Sequence, residues 1–331
     1  MKSFKVYHSK GQPLQQGQIP LYKSPWDGEN PANYISTPGL EQAVNVALAL
    51  GQPLLITGEP GTGKTRLADS IAWKLRLEPL KFYTKTTSTA TDLFYHYDAL
   101  RHFQDVQLNK ARPIENYIKC QALGLAILLA NPTEDAKRFL PDKFKNKEPV
   151  RSVVLIDEID KAPRDLSNDV LNEIEEMKFY IREFSDEAFT ADESYRPIVV
   201  MTSNSEKDLP DAFLRRCVYY HIPFPDEETL KEIVKMRFSS DPEMSEALSQ
   251  GFLDGAISHF YKLRSLNLKK APATAELLSW LSILRTLNID MNNLKEKDKE
   301  RVITSYSVLA KNHNDLKQLS LYIEGLVKAK P

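Results

Sequence analysis

The sequence predicts an α/β fold, a parallel sheet built around a phosphate-binding loop, followed by a smaller all-helical domain. Three observations predict it. The run Gly58-Glu59-Pro60-Gly61-Thr62-Gly63-Lys64-Thr65 stands between a short apolar stretch and a helical pattern, the setting a phosphate loop requires. Two more apolar runs, Val153-Val154-Leu155-Ile156 and Ile198-Val199-Val200-Met201, end in polar side chains, as buried central strands do where open sheets bind ligands. After Pro223-Phe224-Pro225 the strand patterns stop and helical ones run to the end.

The chain has 331 residues, enough for two cores, and 42% hydrophobic with 27% charged residues fits a globular protein. A formal net charge of −1 gives no general attraction to nucleic acid or to an anionic membrane. Cys120 and Cys217 match neither zinc nor CxxC spacing, so a reducing, cytoplasmic setting is expected. The longest apolar stretch, 122–130, is too short to span a bilayer, and the N-terminus lacks a signal-peptide layout. The six histidines never fall at metal-ligand spacing.

In chain order, residues 1–36 read as an irregular arm with Trp26, Tyr34 and Ile35 as adhesive points. A helix opens at Pro38, carries Leu40, Val44, Ala47 and Leu48 on one face, and ends at Gly51. Residues 52–57 form the strand before the loop, and Leu67, Ile71 and Leu75 mark the helix after it. Residues 80–86 alternate as a second strand. Within the insert 88–151, residues 92–103 read as a helix with an aromatic stripe for the core or a subunit contact. Residues 114–130 read as an apolar helix, and 141–149 as a charged loop. A helix is expected over 165–177, facing inward through Leu166, Val170, Leu171 and Ile174. A hairpin is expected from 179–184 and 188–190, a short helix over 208–217 and a strand over 218–222. Helices at 227–237, 243–264, 275–287, 297–310 and 315–327 complete the tail. The domains are therefore the arm 1–36, the α/β core 37–225 and the helical domain 226–331.

The chemistry of the site residues follows from their types. Glycines let backbone N–H groups turn inward around an anion, and the helix N-terminus adds its positive end. The candidate binding residues are Gly58, Glu59, Pro60, Gly61, Thr62, Gly63, Lys64, Thr65 and Arg66. Lys64 supplies a mobile charge for β/γ-phosphates, and the Thr65 hydroxyl suits Mg2+. Asp157 can hold Mg2+ through its waters, while Glu158, aimed elsewhere, can polarise an attacking water. Asn204 can orient that water or touch the γ-phosphate; alone, asparagine at a strand end is a turn former. Arg215 and Arg216 close the short helix, where basic side chains also complement the helix dipole.

This ordered set resembles the AAA+ ATPases, and more narrowly the MoxR family. The residues that carry it are Pro53-Leu54-Leu55-Ile56-Thr57-Gly58-Glu59-Pro60-Gly61-Thr62-Gly63-Lys64-Thr65, Leu155-Ile156-Asp157-Glu158-Ile159-Asp160-Lys161-Ala162 and Met201-Thr202-Ser203-Asn204. The resemblance implies ATP and Mg2+ held between core and helical lid and hydrolysed at the subunit interfaces of a hexameric ring. It gives Lys64 and Thr65 to Walker A, Asp157 and Glu158 to Walker B, and Asn204 to sensor 1. Arg216 falls where the family's arginine finger acts on a neighbour's site, with Arg215 as the fallback. Residues 92–107 would be an insert in helix 2, and 181–190 the hairpin before sensor 1. The implied role is chaperone-like remodelling beside a von Willebrand factor A domain protein. One departure stands out: the lid turn reads Lys269-Lys270-Ala271-Pro272-Ala273-Thr274, with no sensor-2 arginine, and Lys270 is its candidate substitute. The alternatives are a nucleic-acid remodeller of clamp-loader or restriction-motor type, which would need a basic stripe, and a nucleotide-switched regulatory scaffold, which the missing arginine would suit.

Overall fold

The computed structural model describes residues 30–131, 133–204, 209–239, 241–249 and 251–328. Most of the expected N-terminal arm, Trp26 included, and Asp208 of the expected short helix lie outside the described residues. The chain divides into two compact units, one over residues 34–223 and the other containing residues 224–331.

The first unit opens with α1 (Pro38–Leu50). Thr37 caps it, its hydroxyl accepting the Leu40 amide, and Gly51 ends it with φ 62°. β1 (Leu54–Gly58) is buried along its whole length and leads through the glycine loop into α2 (Lys64–Leu75). The strands that follow are β2 (Glu78–Tyr83), β3 (Tyr95–Tyr97), β4 (Ile118–Cys120), β5 (Ser152–Asp157), β6 (Lys178–Tyr180), β7 (Ala188–Thr190), β8 (Ile198–Ser203) and β9 (Val218–Ile222). Five of them form one parallel sheet in the order β2-β5-β8-β1-β9. Because all five run the same way, Gly58, Asp157 and Ser203 end at one edge, and whatever follows them converges there.

Period-two alternation divides the central strands between two apolar layers. Leu54, Ile56, Val153, Leu155 and Val200 pack with Leu40, Leu67 and Ile71 of the two helices. Leu55, Val154, Ile156, Val199 and Met201 pack on the opposite face with Leu123, Ile127 and Leu128. Such two-sided burial explains why these strands read as continuous apolar runs.

The insert departs from its expected form. Residues 92–103 are not one helix: a 3-10 turn (Thr91–Leu93) leads into β3, which pairs antiparallel with β4, and only Ala99–Gln107 is α-helical. Phe94 and Tyr95 are buried in the core, Phe94 stacking on Phe179 at 5.3 Å, and Asp98 caps the new helix through the Arg101 amide. The aromatic stripe therefore splits. Its first rings enter the core, whereas Leu100 and Phe103 are 68% and 61% exposed. Residues 114–130 likewise begin as a 3-10 turn and β4, with α-helix only over Ala122–Leu129. That helix lies against the Phe94 carbonyl so closely that a Cβ on Gly124 would stand 2.1 Å from the oxygen.

Smaller corrections have local causes. The second strand is Glu78–Tyr83 rather than 80–86. The 165–177 helix breaks at Val170 into Arg164–Asp169 and Leu171–Glu176 and stops at Met177 with φ 46°. The expected hairpin forms from β6 and β7. Of residues 209–217, only Asp211–Leu214 is helical, so both arginines lie past the helix end.

The second unit shows no strand among its described residues. Its helices are Glu227–Arg237, Pro242–Ser249, Phe252–Arg264, Thr274–Thr286, Lys299–Ser305 and His313–Lys328. Gly251, at φ 82°, breaks the long helix expected over 243–264. The helix expected over 297–310 is a 3-10 turn, Glu296–Asp298, followed by Lys299–Ser305. Leu230, Ile257, Phe260, Leu277, Leu281 and Tyr306 form the core. His259 is buried there, stacked near Trp280 and Tyr306, with Nε2 2.6 Å from the Tyr306 hydroxyl. Burial pushes its imidazole down to about 4. Asp315 accepts the Lys269 and Lys270 backbone amides at 2.9 and 3.1 Å and so pins the turn that leads to Pro272.

Candidate nucleotide site

The loop between β1 and α2 owes its shape to three left-handed or strained glycines, Gly58 (φ 150°), Gly61 (φ 80°) and Gly63 (φ 87°). At Gly58 the need is steric as well, because a Cβ would meet the Ile222 carbonyl of β9 at 2.6 Å. Glu59 and Pro60 are exposed on the loop, and the Thr62 hydroxyl donates to the Glu59 carbonyl at 2.8 Å. Arg66 lies in the first turn of α2, its amide bonded to Gly63 O at 3.1 Å.

Lys64 is buried beneath this loop and donates to the carbonyls of Gly58 (2.7 Å) and Glu59 (2.9 Å). Desolvation lowers its pKa, and the nearby carboxylates of Asp157, Asp160, Glu158 and Glu59 oppose that shift. An ammonium held by two carbonyls and surrounded by acids is poised for a stronger anion, since phosphate oxygens would replace neutral acceptors with charged ones.

Across the sheet edge, the Thr65 hydroxyl donates to Asp157 Oδ1 at 3.0 Å, tying the start of α2 to the end of β5. Asp157 also receives the Thr202 hydroxyl at 2.6 Å. Glu158 follows with φ 55°, a left-handed turn that carries its side chain away from that of Asp157. Its Oε1 accepts the Asn204 side-chain amide at 3.0 Å, and its Oε2 pairs with Lys161. The Asn204 backbone N–H in turn donates to Asp160 Oδ2 at 3.2 Å. Lys64, Thr65, Asp157, Glu158 and Asn204, picked from three separated stretches of sequence, thus stand around one sheet edge.

The hydroxyl of Thr65 and the carboxylate of Asp157 are hard oxygen donors, suited to Mg2+. Among the described residues no three His, Cys, Asp or Glu side chains cluster as a metal cage. Two protein oxygens with the remaining positions left to water and phosphate is how Mg2+ is commonly held.

Arg215 and Arg216 are not brought to this edge. They precede β9, and the pairing of Val218 with Leu54 and Ile222 with Gly58 sets them beside the start of β1, roughly 13 Å of strand from the loop. Arg216 donates to Glu175 Oε2 (2.9 Å) and to the Ala212 carbonyl (3.2 Å). The Arg215 side chain is exposed and has no hydrogen-bonding or ionic partner among the described residues. Both line a cleft of about 640 Å3 together with Arg151, Arg196, Glu175 and Glu193.

Sequence reasoning gave no role to Thr202 or Lys161. Lys161 was detectable in principle, three residues past Glu158 in the same turn. Thr202 was not, because its contact depends on β8 lying beside β5, and strand order is invisible in a single sequence.

Residues 53–217 match the AAA domain family, dynein-related subfamily. No curated protein matches the chain. Among solved structures it is similar to a RuvB mutant of Thermotoga maritima at 17% identity and a TM-score of 0.39, covering 81% of this chain and 74% of that one. The core is a P-loop nucleoside-triphosphatase fold of the AAA+ type, a five-stranded parallel sheet with flanking helices, and a helical C-terminal region follows it. No described helix is long and apolar enough to cross a membrane.

Proposed function

We propose that this AAA-type core binds ATP with Mg2+ and hydrolyses it, working as a MoxR-like remodeller of a partner protein. The observation that carries the reading is the meeting of Lys64, Thr65, Asp157, Glu158 and Asn204 at one sheet edge beside the glycine loop. Lys64 would exchange the Gly58 and Glu59 carbonyls for β- and γ-phosphate oxygens. Thr65 and Asp157 would hold Mg2+, which supplies charge neutralisation on the phosphates. Glu158 would accept a proton from the attacking water, and Asn204, already on Glu158 Oε1, would orient that water through its amide.

Arg216, with Arg215 as the fallback, would act on a neighbouring protomer. Their separation from the chain's own loop supports action in trans, because no side chain spans it. A ring, hexameric as in the resemblance, is the assembly this requires. A von Willebrand factor A domain protein is the partner class and the cytoplasm the compartment we assign. The near-neutral charge does not favour a nucleic-acid substrate.

The test is Glu158→Gln. It should bind ATP as tightly as the unaltered protein and release no phosphate over many turnovers. Used as bait, the same variant should retain a client in ATP and let it go without nucleotide. Phosphate release at the unaltered rate would remove Glu158 from the mechanism.

A further inference from the structure

We propose that Thr202 is the positioning residue that couples the metal-holding carboxylate to the water-activating one, a single hydroxyl serving both. The inference rests on the ATPase reading above, to which it adds a residue. Register places it: Ile156 pairs with Met201, so Asp157 and Thr202 stand side by side one step further, where β5 and β8 end.

The Thr202 hydroxyl makes two contacts, to Asp157 Oδ1 at 2.6 Å and to the Glu158 amide nitrogen at 2.8 Å. A hydroxyl has one proton and two lone pairs. The Glu158 N–H can only donate, so the hydroxyl oxygen accepts it, and the one hydroxyl proton goes to Asp157. Both directions are thereby fixed. Thr202 is 1% exposed, so bulk water does not compete for either bond.

What is held matters as much as the holding. Glu158 is in the left-handed region, which L-residues avoid unless neighbouring bonds hold them there. Its amide is anchored by Thr202, and its carbonyl receives the Lys161 amide at 2.9 Å. Together these define the turn that carries the Glu158 carboxylate to Asn204. Asp157 receives two hydroxyls on one oxygen, from Thr65 and Thr202. Thr65 is itself assigned to the metal; Thr202 is not. Its donation to Asp157 therefore does not compete with metal binding, and it fixes the carboxylate's rotation. Removing the hydroxyl would loosen the metal ligand and take from the partly buried Glu158 amide its acceptor.

Thr202→Val keeps the shape and removes the hydroxyl; Thr202→Ser keeps the hydroxyl and removes the methyl. The probe is a fluorescent, non-hydrolysable ATP analogue bound to the full chain, titrated with Mg2+ or in EDTA, alongside steady-state phosphate release. For Thr202→Val we expect the Mg2+ needed for half-maximal enhancement of binding to rise about tenfold and kcat to fall about 10–100-fold, with affinity in EDTA within about twofold of the unaltered protein. Thr202→Ser should restore both quantities to within about threefold. If the valine variant does not fold, Thr202→Ala makes the same deletion without the added methyl. An unchanged Mg2+ requirement and kcat in the hydroxyl-free variant overturns the proposal, as does a serine variant as defective as valine, which would give the role to packing. If the unaltered protein binds Mg2+–ATP and Glu158→Gln is inactive while Thr202→Val behaves normally, this inference alone fails. If the unaltered protein binds no nucleotide, the ATPase reading fails and takes this one with it.

Discussion

At the scale of single residues, the site is a set of carboxylates kept apart by hydrogen bonds. Asp157 and Glu158 are consecutive, yet hydroxyls claim one and an amide and an ammonium claim the other. If Glu158 activates water while Asp157 holds the metal, Asn204 is the side chain that separates the two tasks, because it bonds Glu158 and makes no hydrogen bond to Asp157. Its amide is a neutral donor on a half-buried carboxylate, a bond worth about 1.5–3 kcal/mol when one partner is charged. Asn204→Ala should therefore lower kcat by roughly tenfold to a hundredfold, with nucleotide affinity changed little. Single-turnover hydrolysis beside equilibrium binding separates the two, and an equal loss in both would show that Asn204 holds nucleotide instead. The meeting of Lys64, Thr65, Asp157 and Glu158 at one sheet edge was legible in the sequence because each belongs to a short motif at a strand end. Thr202 was not, since no local pattern distinguishes a threonine that faces a neighbouring strand from one that merely ends its own.

At the scale of elements, buried parallel strands were the most legible, since burial on both faces leaves an unbroken apolar run with polar residues at its tip. The insert was the least. Phe94, Tyr95 and Tyr97 fit a helical pattern and a strand equally well over so short a stretch, and tertiary pairing with Ile118–Cys120 decided for the strand. Gly124 records that decision, lying on the Phe94 carbonyl. Gly124→Ala forces a Cβ against rigid backbone and should destabilise the core by about 1–3 kcal/mol, seen as a lowered denaturant midpoint. A midpoint equal to that of the unaltered protein would mean the helix Ala122–Leu129 can move away at no expense.

The helical unit carries a different test. His259 has a folded-state pKa of about 4, below its ordinary 6.5, so the unfolded chain binds the proton more readily between these values. Its contribution is fully present above about pH 6.5 and is lost as pH falls toward 4, a span worth on the order of 3 kcal/mol. The His259 ring resonances should stay those of neutral imidazole when the native protein is taken from pH 7 to 5. Titration near pH 6 would place the ring in water rather than between Trp280 and Tyr306.

At the scale of the whole molecule, the parallel sheet has two ends with different chemistry. Its C-terminal edge gathers the phosphate loop and the acids, and its opposite edge presents Arg215 and Arg216 beside a cleft. If an arginine finger completes the proposed site, it has to come from a second copy, because the chain's own pair stands at the far end of β9. The Arg216–Glu175 pair is half exposed, so it is screened and contributes little, and the proposed move of the guanidinium to a neighbour would cost little. Arg216→Ala should bind ATP and assemble yet turn over slowly, by a factor on the order of 10³ if the finger is of the usual strength. Mixing it with Lys64→Ala should restore part of the rate, since a mixed interface unites an intact loop with an intact arginine. Mixtures no faster than either parent would end the account of action in trans.

In the proposed function, the loop Gly58 to Thr65 and the Asp157–Glu158 pair form one nucleotide site. The most direct measurement is a structure of Glu158→Gln grown with ATP and Mg2+. The triphosphate should lie on the glycine loop, with Lys64 turned from the Gly58 and Glu59 carbonyls to phosphate and the metal on Thr65 and Asp157. A loop without nucleotide at saturating ATP, its lysine still on those two carbonyls, would contradict it.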